Sequence, residues 1–146
     1  MHPHIPINYL AVAAAILGNI VIGFLWYGPI LGKAWAQELK MPSDAKPGPG
    51  VMARAMTLMV IGALLTAWVL AHTVAIWRPS TWNAGADLSD FAHGFFAAFF
   101  TWLGFYIPLL LNTVAWEGKS WKLFGINAGY HFIALQVMGL ILAFWR

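Results

Sequence analysis

Asn8–Gly28 reads NYLAVAAAILGNIVIGFLWYG, a run without a single charged side chain. A helix rises about 1.5 Å per residue and the hydrocarbon of a bilayer is about 30 Å thick, so about 20 apolar residues make one crossing. This run is long enough, and three more follow it: Val51–Trp77 with Arg54 at its entrance, Phe91–Thr113, and Trp121–Trp145. The sequence therefore predicts an all-α protein, a four-transmembrane-helix bundle. It forms a single integral membrane domain over residues 1–146, with spans near 8–28, 51–77, 91–113 and 121–145.

Composition demands the same class. Charged residues make up 9% of the chain and hydrophobic ones 61%, against about a quarter and about half in soluble domains. So few charges cannot cover a water-soluble globule of 146 residues, and the missing polar surface has to face lipid. The net charge is +3, yet no Lys/Arg cluster is dense enough to follow a phosphate backbone, so no nucleic-acid partner is expected. The absence of cysteine removes disulfides, thiolate metal sites and cysteine nucleophiles. No Lys or Arg precedes the first span, which ends in Trp26-Tyr27-Gly28-Pro29 without a small-x-small cleavage site. It reads as an anchor rather than an export signal.

Between the first two spans, Ile30–Lys40 sets Leu31, Ala34, Trp35 and Leu39 against Lys33, Gln37, Glu38 and Lys40. That pattern predicts a short interfacial helix after the first span. Met41–Gly50 then holds three prolines and two glycines, an exposed loop. Lys33, Lys40, Lys46, Arg54, Lys119 and Lys122 fall on one side of the membrane, and only Arg78 and Arg146 on the other. Positive charge is retained in the cytoplasm, so both termini and the Arg78–Asp90 loop are expected on the extracytoplasmic side of a cell inner membrane. Trp35 and Trp121, with Trp26, Tyr27 and Trp116, would then anchor the inner interface. Trp77 and Trp145, with Trp82, would anchor the outer one.

Helices in lipid associate through small residues. Ala63, Ala67, Ala71 and Ala75 line one face of the second span; His93, Ala97 and Gly104 lie close to one line of the third; Gly125 and Gly129 open the fourth. Polar residues inside the spans mark a candidate intramembrane face: Asn8 and Asn19 on the first helix, and Asn127, Tyr130 and His131 on the fourth. Gln136 lies about half a turn from Asn127, so the fourth helix packs on two sides, centrally in the bundle or against another protomer. Pro108 frees the carbonyl of Gly104 and should kink the third span.

Histidine offers the main chemistry. His2 and His4 precede the first span, His72 ends the second and His93 begins the third, all toward the outer side of the membrane, where convergent imidazoles could ligate a metal or haem iron. Single interfacial histidines bonded to carbonyls or headgroups are the plainer reading. The carboxylates Glu38, Asp44, Asp87, Asp90 and Glu117 all fall in loops or at interfaces, and Asp87, Ser89, Asp90 and Ser120 are placed to cap helices. No paired carboxylates, phosphate loop, nucleophile elbow or zinc-protease motif occurs. Neither enzymatic activity nor a cofactor is expected, a metal or haem being the alternative.

Several stretches together resemble a family of small bacterial membrane proteins known as domain of unknown function 1761. They are Ile7-Asn8-Tyr9, GFLWYGPILGKAW from Gly23 to Trp35, Trp116-Glu117-Gly118, and WKLFGINAGYHFIALQVMGLILAFW from Trp121 to Trp145. The resemblance covers nearly the whole chain and implies a four-helix membrane protein of similar length. It carries no activity. The expected role is association within the bilayer, as a homo-oligomer or as a subunit of a larger membrane complex. The alternative is a small oligomeric transporter or channel lined by Asn19, Asn127, Tyr130 and His131.

Overall fold

The computed structural model describes residues 5–42 and 44–146. Helix α1 spans Tyr9–Leu25 and continues through a π turn at Trp26–Ile30. The short α2 covers Gly32–Glu38, and α3 covers Pro49–Ile76. A 3-10 turn at Pro79–Trp82 follows. Helix α4, Asp90–Thr101, then passes through a second π turn, Trp102–Tyr106, into α5, Ile107–Glu117. Helix α6 is Trp121–Phe144. No strand occurs among the described residues.

Four continuous stretches are long and apolar enough to cross a membrane: Tyr9–Ile30, Pro49–Ile76, Asp90–Glu117 and Trp121–Phe144. The shortest has 22 residues, and at about 1.5 Å per residue it reaches about 33 Å, more than the hydrocarbon layer requires. The protein is a multi-pass membrane protein.

Helix ends follow local chemistry. The first amides of a helix lack partners inside it, and side-chain oxygens supply them here. Asn8 accepts from the amides of Leu10 and Ala11, Ser89 from that of Ala92, and Ser120 from that of Leu123. Gly118 ends α5 in the left-handed region at φ +66°, which glycine adopts without strain. The kink expected near Pro108 takes the form of the π turn just before it. Proline has no N–H for the carbonyl of Gly104, and a widened turn absorbs the gap. The first π turn contains Pro29 and leaves helical geometry at Gly28, so the chain turns sharply out of α1 into α2.

Helix α6 is the axis of the bundle. Half of its most apolar window is buried, against 17–28% for the other three spans, and it packs on α1, α3, α4 and α5. Its two polar sides therefore both meet neighbours in the same chain. Leu70, Leu135 and Met138 are the largest fully buried side chains, among alanines such as Ala15, Ala67, Ala98 and Ala143. The closest crossing is between α4 and α6. A Cβ on Gly94 would lie 2.7 Å from the carbonyl oxygen of Gly139, and one on Gly139 would lie 2.6 Å from that of Gly94.

This corrects the seams expected on the third and fourth spans in part: His93 and Ala97 are buried and Gly129 lies against Trp26. The close approach uses Gly94 with Ala98 and Gly139 with Ala143, whereas Gly104 and Gly125 face open space. Small residues recur on several faces of both helices, and which face is used depends on the partner's contour. The alanine stripe of α3 does turn inward: Ala63, Ala67 and Ala71 are buried, with Ala75 half-buried. Only that second half of α3 joins the bundle. Residues 49–62 are exposed apart from the half-buried Met56 and Met59.

Candidate functional site

Polar side chains gather in three places, two at the ends of the bundle and one within it. At one end, Arg78 leaves α3 and is only 4% exposed, a burial that a guanidinium tolerates only when fully paired. Its Nη2 lies 2.9 Å from Asp90 Oδ1 and donates to the carbonyl of Ala143 at 3.1 Å; its Nη1 lies 3.5 Å from Asp87 Oδ2. Arg146 reaches the same two carboxylates, at 2.9 Å to Asp90 and 3.7 Å to Asp87. The amide and hydroxyl of Ser80 donate to Asp87 at 2.9 and 2.8 Å. These two Ser80 bonds, with Arg78 beside them, hold the Asp87 carboxyl below its usual range. The sequence reading treated these residues as caps and loop charges. Their convergence was hinted at only by opposite charges flanking one short loop.

His93 lies one turn beyond Asp90 in α4. It is 6% exposed, makes no side-chain hydrogen bond among the described residues, and its Nε2 is sealed without a partner. His72, its proposed companion for a metal, instead bonds the carbonyl of Trp68 through Nδ1 at 2.8 Å and rests edge-on against that indole. Among the described residues, no three His, Cys, Asp or Glu side chains group as metal ligands do. His2 and His4 lie outside the described residues.

At the opposite end, Glu38 of α2 accepts the hydroxyl of Ser120 and pairs with Lys122 Nζ at 3.3 Å. The Ser120 bond, then Lys122, lowers the Glu38 carboxyl from its ordinary value. Helix α2 is thereby tied to the start of α6. Trp35, expected as an anchor, packs edge-on against Tyr27 at 5.2 Å, while Trp77, Trp121 and Trp145 are exposed.

Within the bundle, the first π turn aims its aromatic pair at α6. Tyr27 donates to Asn127 Oδ1 at 2.8 Å, and the Trp26 indole to the carbonyl of Ile126 at 2.9 Å. Tyr130 donates to Asn19 Oδ1 at 3.0 Å. The second π turn mirrors this from α4–α5: Trp102 donates to the carbonyl of Ala128 at 2.9 Å, and Tyr106 meets Thr66 at 3.2 Å. His131 sits between Tyr106 and Tyr130, its ring tilted against both at centroid distances of 4.6 and 4.8 Å. Asn19, Asn127, Tyr130 and His131 thus come together. Asn8 does not join them, being the cap of α1, and Gln136 stands apart, donating to the carbonyl of Phe95 at 3.4 Å with its Oε1 unpartnered.

Trp26, Tyr27, Trp102 and Tyr106 were missed as members of this network. Trp26 and Tyr27, expected in the inner aromatic belt, both donate to α6. Aromatic residues with a polar tip suit a headgroup and a buried carbonyl equally well, so only the π turns decide between the two.

Two hollows accompany these clusters. A cavity of about 420 Å³ lies between α1, α3 and α6 at the Arg78 end, with Asn8, Ser80 and Arg146 on its wall. A groove of about 900 Å³ runs between α3 and α4–α5, lined by Val69, His93, Phe96, Phe100, Phe105 and Tyr106. Ser80, on the wall of the cavity, donates its hydroxyl to Asp87, and the threonines of the groove bond carbonyls of their own helices or Tyr106.

The family model described as a protein of unknown function (DUF1761) matches residues 10–143. No curated protein and no solved structure matches the chain.

Proposed function

The chain belongs to the DUF1761 family, a family of unknown function, and we propose that it works by association in the plane of the membrane. It acts without catalysis, as a homo-oligomer or as an accessory subunit of a larger complex in a cell inner membrane. In this reading both termini are extracytoplasmic and α2 lies at the cytoplasmic interface. One observation carries it: Gly62 and Gly104 turn bare backbone outward, with nothing near either. A lipid-facing glycine contributes no packing to its own chain, whereas bare backbone is what a second helix needs for close approach. The exposed first half of α3, residues 49–62, extends the same unpartnered flank.

The natural absence of cysteine makes the test direct. Gly62→Cys and Gly104→Cys variants, oxidised in native membranes, should form a covalent dimer or a discrete larger adduct. A control Leu17→Cys on the exposed side of α1 should not. Equal crosslinking at all three positions, or none at any, with a monomeric native mass in mild detergent, would overturn the proposal. A pore through Asn19, Asn127, Tyr130 and His131 is less well supported. The first three bond one another or Tyr27, and the fourth is wedged between aromatic rings.

A further inference from the structure

Beyond association, we propose that the end of the bundle built by α2, the start of α3 and the α5–α6 turn is a docking surface for anionic phospholipid headgroups. The whole formal side-chain charge of the chain, +3, lies there: Lys33, Lys40, Lys46, Arg54, Lys119 and Lys122 are set against Glu38, Asp44 and Glu117. At the opposite end Arg78 and Arg146 meet Asp87 and Asp90, and the charges cancel. The fold also treats the two ends differently. Both arginines of the neutral end are held by carboxylates. At the other end, among the described residues, Lys122 is the one cation in an ion pair, with Glu38 at 3.3 Å. Membrane insertion asks for cations at one end, but not that they stay unpaired once the chain has folded. Lys33, Lys40, Lys46, Arg54 and Lys119 are all exposed, as are Asp44 and Glu117, which pair with none of them. Folding therefore leaves an excess of positive charge to be met from outside the chain.

The neighbours of these cations say what meets them. Trp116 and Trp121, each within three residues of Lys119, are 87% and 66% exposed. Indoles, with an apolar body and one N–H, belong at the headgroup level of a bilayer. Val51 and Met52, also exposed, precede Arg54 in the same way. The cations thus rise from an apolar rim, and from such a rim the long stems of Lys and Arg reach lipid phosphates. Helix α2 belongs to the same rim. It exposes Lys33 and Gln37 and keeps Ala34, Trp35 and Glu38 half-buried. Glu38 clasps Ser120 and Lys122, and Lys40 and Lys119 each lie within two residues of that clasp along the chain. A soluble acidic protein or a nucleic acid would match the charge but leave the indoles bare, whereas an anionic bilayer surface satisfies both.

The full chain, reconstituted with equal amounts of phosphatidylglycerol and phosphatidylcholine of matched chains, is extracted gently, and the lipids it retains are weighed by native mass spectrometry. One cation at an anionic surface is worth about fivefold in affinity, so phosphatidylglycerol should be enriched about fivefold or more at low salt. The enrichment should largely vanish near about 1 M salt, where charges are screened within about 3 Å. Lys119→Gln should lower it about two- to fivefold, and the triple variant Lys33→Gln, Lys40→Gln, Lys119→Gln should abolish it. Arg146→Gln, which removes one charge from the paired end, should leave it unchanged. Equal retention of the two lipids by the natural chain overturns the proposal, even if the triple variant fails to fold. Enrichment that survives high salt, or that falls as far in Arg146→Gln as in Lys119→Gln, also overturns it. So does an acidic protein found in place of anionic lipid after extraction from native membranes. Both leaflets carry the same lipids in the reconstituted sample, so these readouts depend neither on self-association nor on which end faces the cytoplasm.

Discussion

Asp87 illustrates how much a single side chain depends on surroundings that its neighbours in sequence do not reveal. Two hydrogen bonds from Ser80 and the nearby Arg78 stabilise its ionised form, so its folded pKa lies below the ordinary 3.8. The unfolded chain therefore takes up the proton first as pH falls. The contribution to stability is fully present above the ordinary value and is lost as pH drops through the folded one. Thermal unfolding in mild detergent should show a midpoint that falls on acidification through the carboxylate range. Asp87→Asn should lower the midpoint near neutral pH and flatten the decline in that range, to which Glu38 contributes with the same sign. An unaltered acid limb in that variant would remove Asp87 from the account. Arg78 could be read from sequence as one more loop charge. Its burial against Asp87, Asp90 and the Ala143 carbonyl could not, because that requires the ends of α3 and α6 to meet.

At the level of helices, the four spans were legible because hydrophobic length is a local property, counted along the chain. Contacts between spans were less so. The alanine stripe of α3 announced its own buried face, but on α4 the seam lies one residue away from the expected line, at Gly94 and Ala98. Asn19, Asn127, Tyr130 and His131 were recognised as one polar face because polar groups in hydrocarbon need partners. The aromatic partners were not, since the π turns that deliver Tyr27 and Tyr106 alter the helical period from which faces are read. The α4–α6 crossing gives the sharpest prediction at this scale. Gly94→Ala and Gly139→Ala each drive a methyl group into the opposite carbonyl, at 2.7 and 2.6 Å, and should cost about 1–3 kcal/mol. Within the isolated chain Gly104→Ala has open space and should be neutral or stabilising by up to about 1 kcal/mol, through helix propensity alone. Unfolding midpoints of the detergent-dispersed monomer ranking Gly104→Ala below either of the other two would show that the two backbones do not touch.

For the molecule as a whole, the distribution of its cations is the asymmetry from which an orientation is predicted. Lys33, Lys40, Lys46, Arg54, Lys119 and Lys122 emerge at the end where α2 is tied to α6 through Glu38. Arg78 and Arg146 emerge at the other, clasped by Asp87 and Asp90. Insertion retains Lys and Arg on the cytoplasmic side, and acidic residues counterbalance them little during that step. The Arg78 end should therefore face outward. Single cysteines report this without background, because the natural chain has none. Ala84→Cys, exposed in the loop after α3, should react with a membrane-impermeant maleimide on intact spheroplasts. Ala45→Cys, exposed in the loop before α3, should react only after lysis. The reverse pattern would invert the molecule. Labelling of both sites on intact spheroplasts would mean that the chain inserts in two orientations, and six cations against two would then not suffice to fix it.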